Sequence, residues 1–243
     1  MTARTYAGAP AAGRLRAGGL EIAFAVGGTG EPLLLLNGMT RPLQSWQPFI
    51  RATTNRRTVT FDAPGVGGSP GSALPLTIPA LARIAAQVLD VAGLDRADVL
   101  GYSHGGLVAQ QLAFDAPDRV RRLVLAATSC GAGSTASRWE GVLGLATSSA
   151  PSPWPRPDPL SMVWQLMALS SWSSIPFLGA IRQPTLVVTG THDRLVTPDN
   201  STLLARRIPN ARLVMLSAGH DLQRAHRARV LAGIVEEFLD TTR

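Results

Sequence analysis

The sequence has 243 residues, 45% hydrophobic and 16% charged, a balance that allows a core of its own and excludes a disordered chain. The net charge is +7, but every basic side chain is an arginine and these are scattered, without the single stripe of a nucleic-acid binder. Cys130 is the only cysteine, which excludes an intrachain disulfide, and no apolar run is long enough to span a bilayer.

Met1 to Gly19 contains no continuous apolar stretch resembling a signal sequence, so a cytoplasmic protein is expected. Leu20 to Val26 reads as a strand that ends at Gly27-Gly28-Thr29-Gly30. Leu33 to Leu36 is apolar at every position, as in a strand buried on both faces. Val59 to Phe61 is a third short strand, followed by the turn-rich stretch Asp62 to Pro70. Asp62 is expected to cap that turn with side-chain hydrogen bonds. Leu81, Ile84, Ala85, Val88 and Leu89 fall at helical spacing within a helix from Pro79 to Val91.

Asp98 to Gly101 is a strand running into Ser103, and Gly105 to Phe114 is helical in pattern. Leu123 to Ala127, Thr185 to Thr189 and Arg212 to Leu216 are further buried strands. Asn200 to Arg207 is a helix between the last two, and Val230 to Leu239 closes the chain as an amphipathic helix. Apolar strands alternating with helices predict an α/β chain with a mainly parallel sheet covered on both faces. Residues 129–181 break the rhythm with Gly/Ser-rich and Pro-rich pieces and hold four of the five tryptophans. They are expected to form a small cap inserted into a core made of 1–128 and 182–243.

Gly101-Tyr102-Ser103-His104-Gly105 has the Gly-x-Ser-x-Gly pattern of a nucleophile elbow, with an apolar strand before it and a helix after it. A serine hydroxyl needs a base to take its proton and a third group to orient that base. His220, in Ser217-Ala218-Gly219-His220-Asp221, follows a strand and precedes the last helix, which makes it the expected base. His104 lies inside the elbow, His192 adjoins an acid candidate, and His226 reads as a surface residue. Asp193 follows a buried strand and lies between serine and histidine in chain order, so it is the expected orienting acid. Asp158 and Asp199 lack a preceding buried strand, and Asp221 is too close to His220. The oxyanion needs two preset donors, expected to be the backbone amides of His104 and of Met39 in Asn37-Gly38-Met39-Thr40. Trp154, Met162, Trp164 and Met167 are candidates to line an acyl pocket under the cap, or else to form the cap's own small core. No cofactor or metal pattern stands out.

Together these motifs resemble the α/β-hydrolase superfamily over nearly the whole chain outside the cap. Within it the chain is similar to intracellular depolymerases of medium-chain-length polyhydroxyalkanoates. That likeness is carried by Leu33 to Gly38, Phe61 to Ser69, Leu123 to Thr128, Trp164-Gln165-Leu166 and Ile181 to Val187. The chain differs from them in a shorter cap and in His104, where the likeness predicts Trp. The resemblance implies hydrolysis, through an acyl-enzyme, of the ester between 3-hydroxyacyl units. A small-molecule ester, lactone or thioester hydrolase is the alternative, and a non-catalytic binding protein on the same fold the remote one.

Overall fold

Four consecutive leucines can be buried only where both faces of a strand are covered. The computed structural model of the chain meets that condition over the residues it describes, 11–134 and 156–241. Eight strands form one sheet in the order β1-β2-β4-β3-β5-β6-β7-β8. They are β1 Ala11–Ala17, β2 Leu20–Gly27, β3 Glu31–Leu36, β4 Arg56–Phe61, β5 Ala97–Tyr102, β6 Val120–Ala126, β7 Thr185–Gly190 and β8 Ala211–Leu216. β1 pairs antiparallel with β2 and β2 antiparallel with β4; every other pairing is parallel.

Among the described residues the α-helices are α1 Gln47–Ile50, α2 Ile78–Val91, α3 His104–Asp115, α4 Pro159–Ser171, α5 Pro198–Arg207 and α6 Ala225–Thr241. Strand alternation divides the core into two clusters, one on each face. Leu34 and Leu36 of β3, Val99 of β5 and Leu125 of β6 pack with side chains of α2, α3 and α5. Leu33 and Leu35, Leu100 and Val124 pack on the other face against Phe49 of α1 and Leu231, Val235 and Phe238 of α6. This is the doubly covered, mainly parallel sheet that the apolar runs predict, except at its edge: Arg212 to Leu216, expected to be a buried strand, has no buried residue, because β8 is the last strand and pairs with β7 alone.

Nothing in the sequence pattern announces β1. Alanine, glycine and arginine supply most of its residues, and alanine and glycine are poor strand formers, so its alternation is muted. It is held instead by a hairpin whose two turn residues, Gly18 and Gly19, both have positive φ (57° and 80°), the conformation glycine adopts most readily.

The two ends of the expected cap are joined side by side on the core. Gly131 bridges Ser173, the Ala132 amide donates to the Trp172 carbonyl at 2.7 Å, and Cys130, Trp172, Leu178 and Ile181 are buried in the cluster beneath. α3 grips this junction: Ser174 donates to Gln110 Oε1 and the Trp172 indole to Gln111 Oε1, both at 2.6 Å. From there α4 crosses the loop that follows β4.

Candidate active site

Ser103 sits between β5 and α3 with φ 53° and ψ −120°, a backbone conformation that L-residues rarely adopt. Its neighbours show why glycine flanks it on both sides. A Cβ on Gly105 would lie 2.2 Å from the Leu36 carbonyl oxygen, and one on Gly101 would lie 2.5 Å from the Gly105 carbonyl oxygen. Only glycine lets β5, α3 and the end of β3 approach so closely. The turn is tied down by the Ser103 amide donating to the Ala126 carbonyl and the Thr128 hydroxyl donating to the Ser103 carbonyl.

His220 and Asp193 come from the loops after β8 and β7. His220 Nε2 is 3.1 Å from Ser103 Oγ, and His220 Nδ1 is 2.8 Å from Asp193 Oδ2. Asp193 is buried, and its Oδ1 accepts the Leu195 and Val196 amides at 2.9 Å each, which fixes the carboxylate plane. The Tyr102 hydroxyl donates to the His220 carbonyl at 2.7 Å and steadies the histidine loop from below. The competing groups are elsewhere. His192 and His226 are exposed, Asp158 caps α4 by accepting from Ser161, and Asp221 pairs with Arg41 at 2.9 Å. Asp62 accepts from the Gly68 amide at 2.8 Å and the Leu43 amide at 2.6 Å, the turn-capping role expected of it.

Residues Asn37–Thr40 lie against the elbow: a Cβ on Gly38 would stand 3.4 Å from Ser103 Cβ. His104 opens α3, so its amide belongs to the free donors of that helix's N-terminal end. The Met39 amide donates to no acceptor among the described residues. Thr40, with φ 62°, donates its amide to Gln165 Oε1 of α4 at 3.1 Å. α4 is therefore tied directly to the loop beside Ser103.

A pocket beside the elbow is lined by Leu36, Asn37, Gly38, Phe61, Ala63, Leu81, His104, Gly105, Val108 and Gln165. It adjoins a second pocket that reaches Ser161 and Trp164, with Ala63, Leu81 and Gln165 common to both. Of the four side chains proposed for an acyl pocket, Trp164 lines the second of these pockets, and its indole donates to the Ser72 carbonyl at 3.2 Å. Met162 and Met167 line neither pocket: they are 41% and 49% exposed. The helical repeat explains the difference. Ser161, Gln165 and Ala168 are buried on the inner face, while Met162, Val163, Leu166 and Met167 fall on the outer one. Trp154 lies outside the described residues. The side chain the sequence reading missed is Gln165, although the start of its helix is signalled by Asp158 at the N-cap and Pro159 after it.

His104 is buried, its Nε2 has no hydrogen-bond partner, and burial lowers its pKa from 6.5 to about 4. The folded chain therefore keeps this ring neutral where the unfolded chain protonates it, so stability is lost as pH falls from about 6.5 towards 4. The expected loss from this one group is roughly 3 kcal/mol. Denaturant melts at pH 7 and pH 4.5 should show wild type losing more stability than His104→Leu; equal losses would refute the assignment.

The sequence matches the family described as the alpha/beta hydrolase fold over residues 31–148 and 156–224. It is 37% identical over 242 residues to the poly(3-hydroxyalkanoate) depolymerase of Ectopseudomonas oleovorans, covering 87% of this chain and 85% of that protein. Among solved structures, a hydrolase from Pseudomonas aeruginosa superposes with a TM-score of 0.83 at 28% identity, over 94% of this chain and 98% of that one. The enol-lactonase of Burkholderia xenovorans superposes with a TM-score of 0.82 at 25% identity, over 94% of this chain and all of the other (100%).

Proposed function

The chain belongs to the α/β-hydrolase fold family, and from that premise we propose that it is a serine hydrolase cleaving carboxylic esters of 3-hydroxyacyl polyester through an acyl-enzyme. The observation that carries the reading is the continuous hydrogen-bonded line from Ser103 Oγ through His220 to Asp193. In this reading His220 Nε2 takes the Ser103 proton as Oγ attacks the ester carbonyl carbon. The tetrahedral oxyanion faces the Met39 and His104 amides, which are donors already in place. Collapse breaks the ester C–O bond, and the His220 Nε2 proton goes to the departing alcohol. Water, deprotonated by the same nitrogen, then attacks the acyl carbon, and Ser103 leaves with that proton. Asp193 holds the imidazole in the tautomer that leaves Nε2 free to accept, and stabilises the imidazolium that forms.

The polyester as substrate class is supported by the identity to the Ectopseudomonas depolymerase. The apolar lining of the two adjoining pockets, with Trp164 at the far end, suits an alkyl chain. We read residues 129–181 as the cap that selects it. The likeness to the enol-lactonase favours a second reading, a small ester or lactone as substrate.

The purified protein is expected to release 3-hydroxyacids from medium-chain polyester, and a fluorophosphonate probe should label it but not Ser103→Ala. Turnover of short p-nitrophenyl esters, lactones or acyl thioesters without polymer cleavage would favour the second reading. A probe that labelled both proteins equally, with no hydrolysis, would leave a non-catalytic protein on this fold.

A further inference from the structure

The loop that carries the Met39 amide is a four-residue turn, Gly38 to Arg41. It is closed by the Arg41 amide donating to the Gly38 carbonyl at 3.2 Å. Met39 has negative φ and Thr40 has φ 62°, the pattern of a type II turn. That turn favours glycine or asparagine where this chain has Thr40, a β-branched residue for which the left-handed region is an outlier. Turning the Met39–Thr40 peptide plane over would give a type I turn, free of that strain, with both ends in place. Strain of this kind persists only where the surroundings hold it.

The ends of the turn are firmly anchored, but their anchors do not choose between the two forms. Asn37 Oδ1 accepts from Ser45 at 3.1 Å and Gln223 at 2.9 Å, and its Nδ2 donates to the Pro42 carbonyl at 2.9 Å. Arg41 pairs with Asp221 at 2.9 Å and lies over the Tyr102 ring. All of these contacts survive rotation of the central peptide. Among the described residues that peptide has one partner: the Thr40 amide donates to Oε1 of the buried Gln165 at 3.1 Å. Rotation would turn the Met39 carbonyl oxygen towards this acceptor instead. Gln165 and Gly38 line the same pocket, so that oxygen would bring a partial negative charge to the wall beside which the oxyanion forms. We propose that Gln165 is a positioning residue. From α4 it keeps the Met39–Thr40 peptide with its N–H on the pocket side, so the Met39 amide meets the oxyanion with no opposing dipole next to it.

This inference rests on the ester-hydrolase reading, and two measurements separate their fates. The first is hydrolysis of p-nitrophenyl octanoate by Gln165→Leu, which keeps the apolar bulk and removes the acceptor. Its kcat should fall about 10- to 100-fold with KM within about threefold, less than the roughly 100- to 1,000-fold cost of deleting an oxyanion donor outright. In a Thr40→Gly background the same change should cost less than about threefold, because glycine takes positive φ without help. Glycine in the turn would not repair a general loosening of α4. An equal cost in both backgrounds, or an unchanged kcat in Gln165→Leu, therefore overturns the inference and leaves the hydrolase standing. The second measurement is a crystal structure of Gln165→Leu, which needs no turnover. Thr40 should move to negative φ with the Met39 carbonyl turned towards α4; Thr40 still in the left-handed region overturns the inference. Absence of ester turnover by the wild type overturns the hydrolase, and with it the oxyanion role of the turn.

Discussion

Replacing Asp193 by asparagine is expected to lower kcat by about 10,000-fold while the fold is kept, a magnitude typical of this change in Ser–His–Asp hydrolases. The reason lies in the two amides on Asp193 Oδ1. Leu195 and Val196 both donate to that atom at 2.9 Å, so the oxygen of the introduced carboxamide is held there and its NH2 group turns towards His220. Two donors cannot face each other across 2.8 Å, so His220 must present its Nδ1 lone pair to that NH2. The ring proton then sits on Nε2, pointing at Ser103 Oγ as a donor, and the base is lost. Steady-state hydrolysis of a p-nitrophenyl ester, beside a thermal melt, checks this. A loss under 100-fold with an unchanged melt would refute the assigned role of Asp193.

Asp98→Asn is the counterpart at the opposite end of β5, with a large effect on stability and little on chemistry. Asp98 is fully buried. Its carboxylate accepts from Arg121 at 2.7 and 2.9 Å, with Arg122 at 3.5 Å and Arg56 at 3.9 Å. The Arg121 pKa is raised, chiefly by its hydrogen bonds to Asp98, against the desolvation of its own burial. Removing one partner from a buried ion pair costs about 3–5 kcal/mol, because the remaining charge stays desolvated. Here the cost falls near the low end, about 3 kcal/mol, since Arg56 keeps Glu236 and Asp240 and Arg121 keeps Glu31. For a chain of this size that corresponds to roughly 6–12 °C in Tm. Asp98 lies five residues before Ser103, roughly 16 Å along the strand, so kcat at 25 °C should hold within about twofold. A melt unchanged by the substitution would show that the arginines gain nothing from Asp98.

The elements with unbroken apolar runs were legible because their signal is local. β3, β5, β6 and β7 are apolar through most of their length and are buried on both faces, as their composition requires. α2 was legible from its spacing, with Thr77 capping it through the Ala80 amide. β1 was not, since pairing with β2 and the Gly18-Gly19 turn hold it rather than any pattern of its own. The inner and outer faces of α4 were not legible either. Apolar residues occupy both sides of that helix, and only the core beneath distinguishes Gln165 from Met162 or Met167.

By itself the sequence determined the candidate nucleophile, base and acid, because each follows a strand of the parallel sheet, buried throughout before Ser103 and Asp193 and part-exposed before His220, and the tight Ser103 turn demands glycine two residues away on either side. Tertiary structure alone decided which side chains meet outside that constellation. Gln165 reaches Thr40 across 125 residues of chain, and Arg56 reaches Glu236 across 180. Pairings of that kind depend on where whole elements come to rest, and no short-range pattern encodes them. Ser103 and His220 are 117 residues apart yet could be matched in advance, because the family's strand order makes that one distant pairing a local prediction.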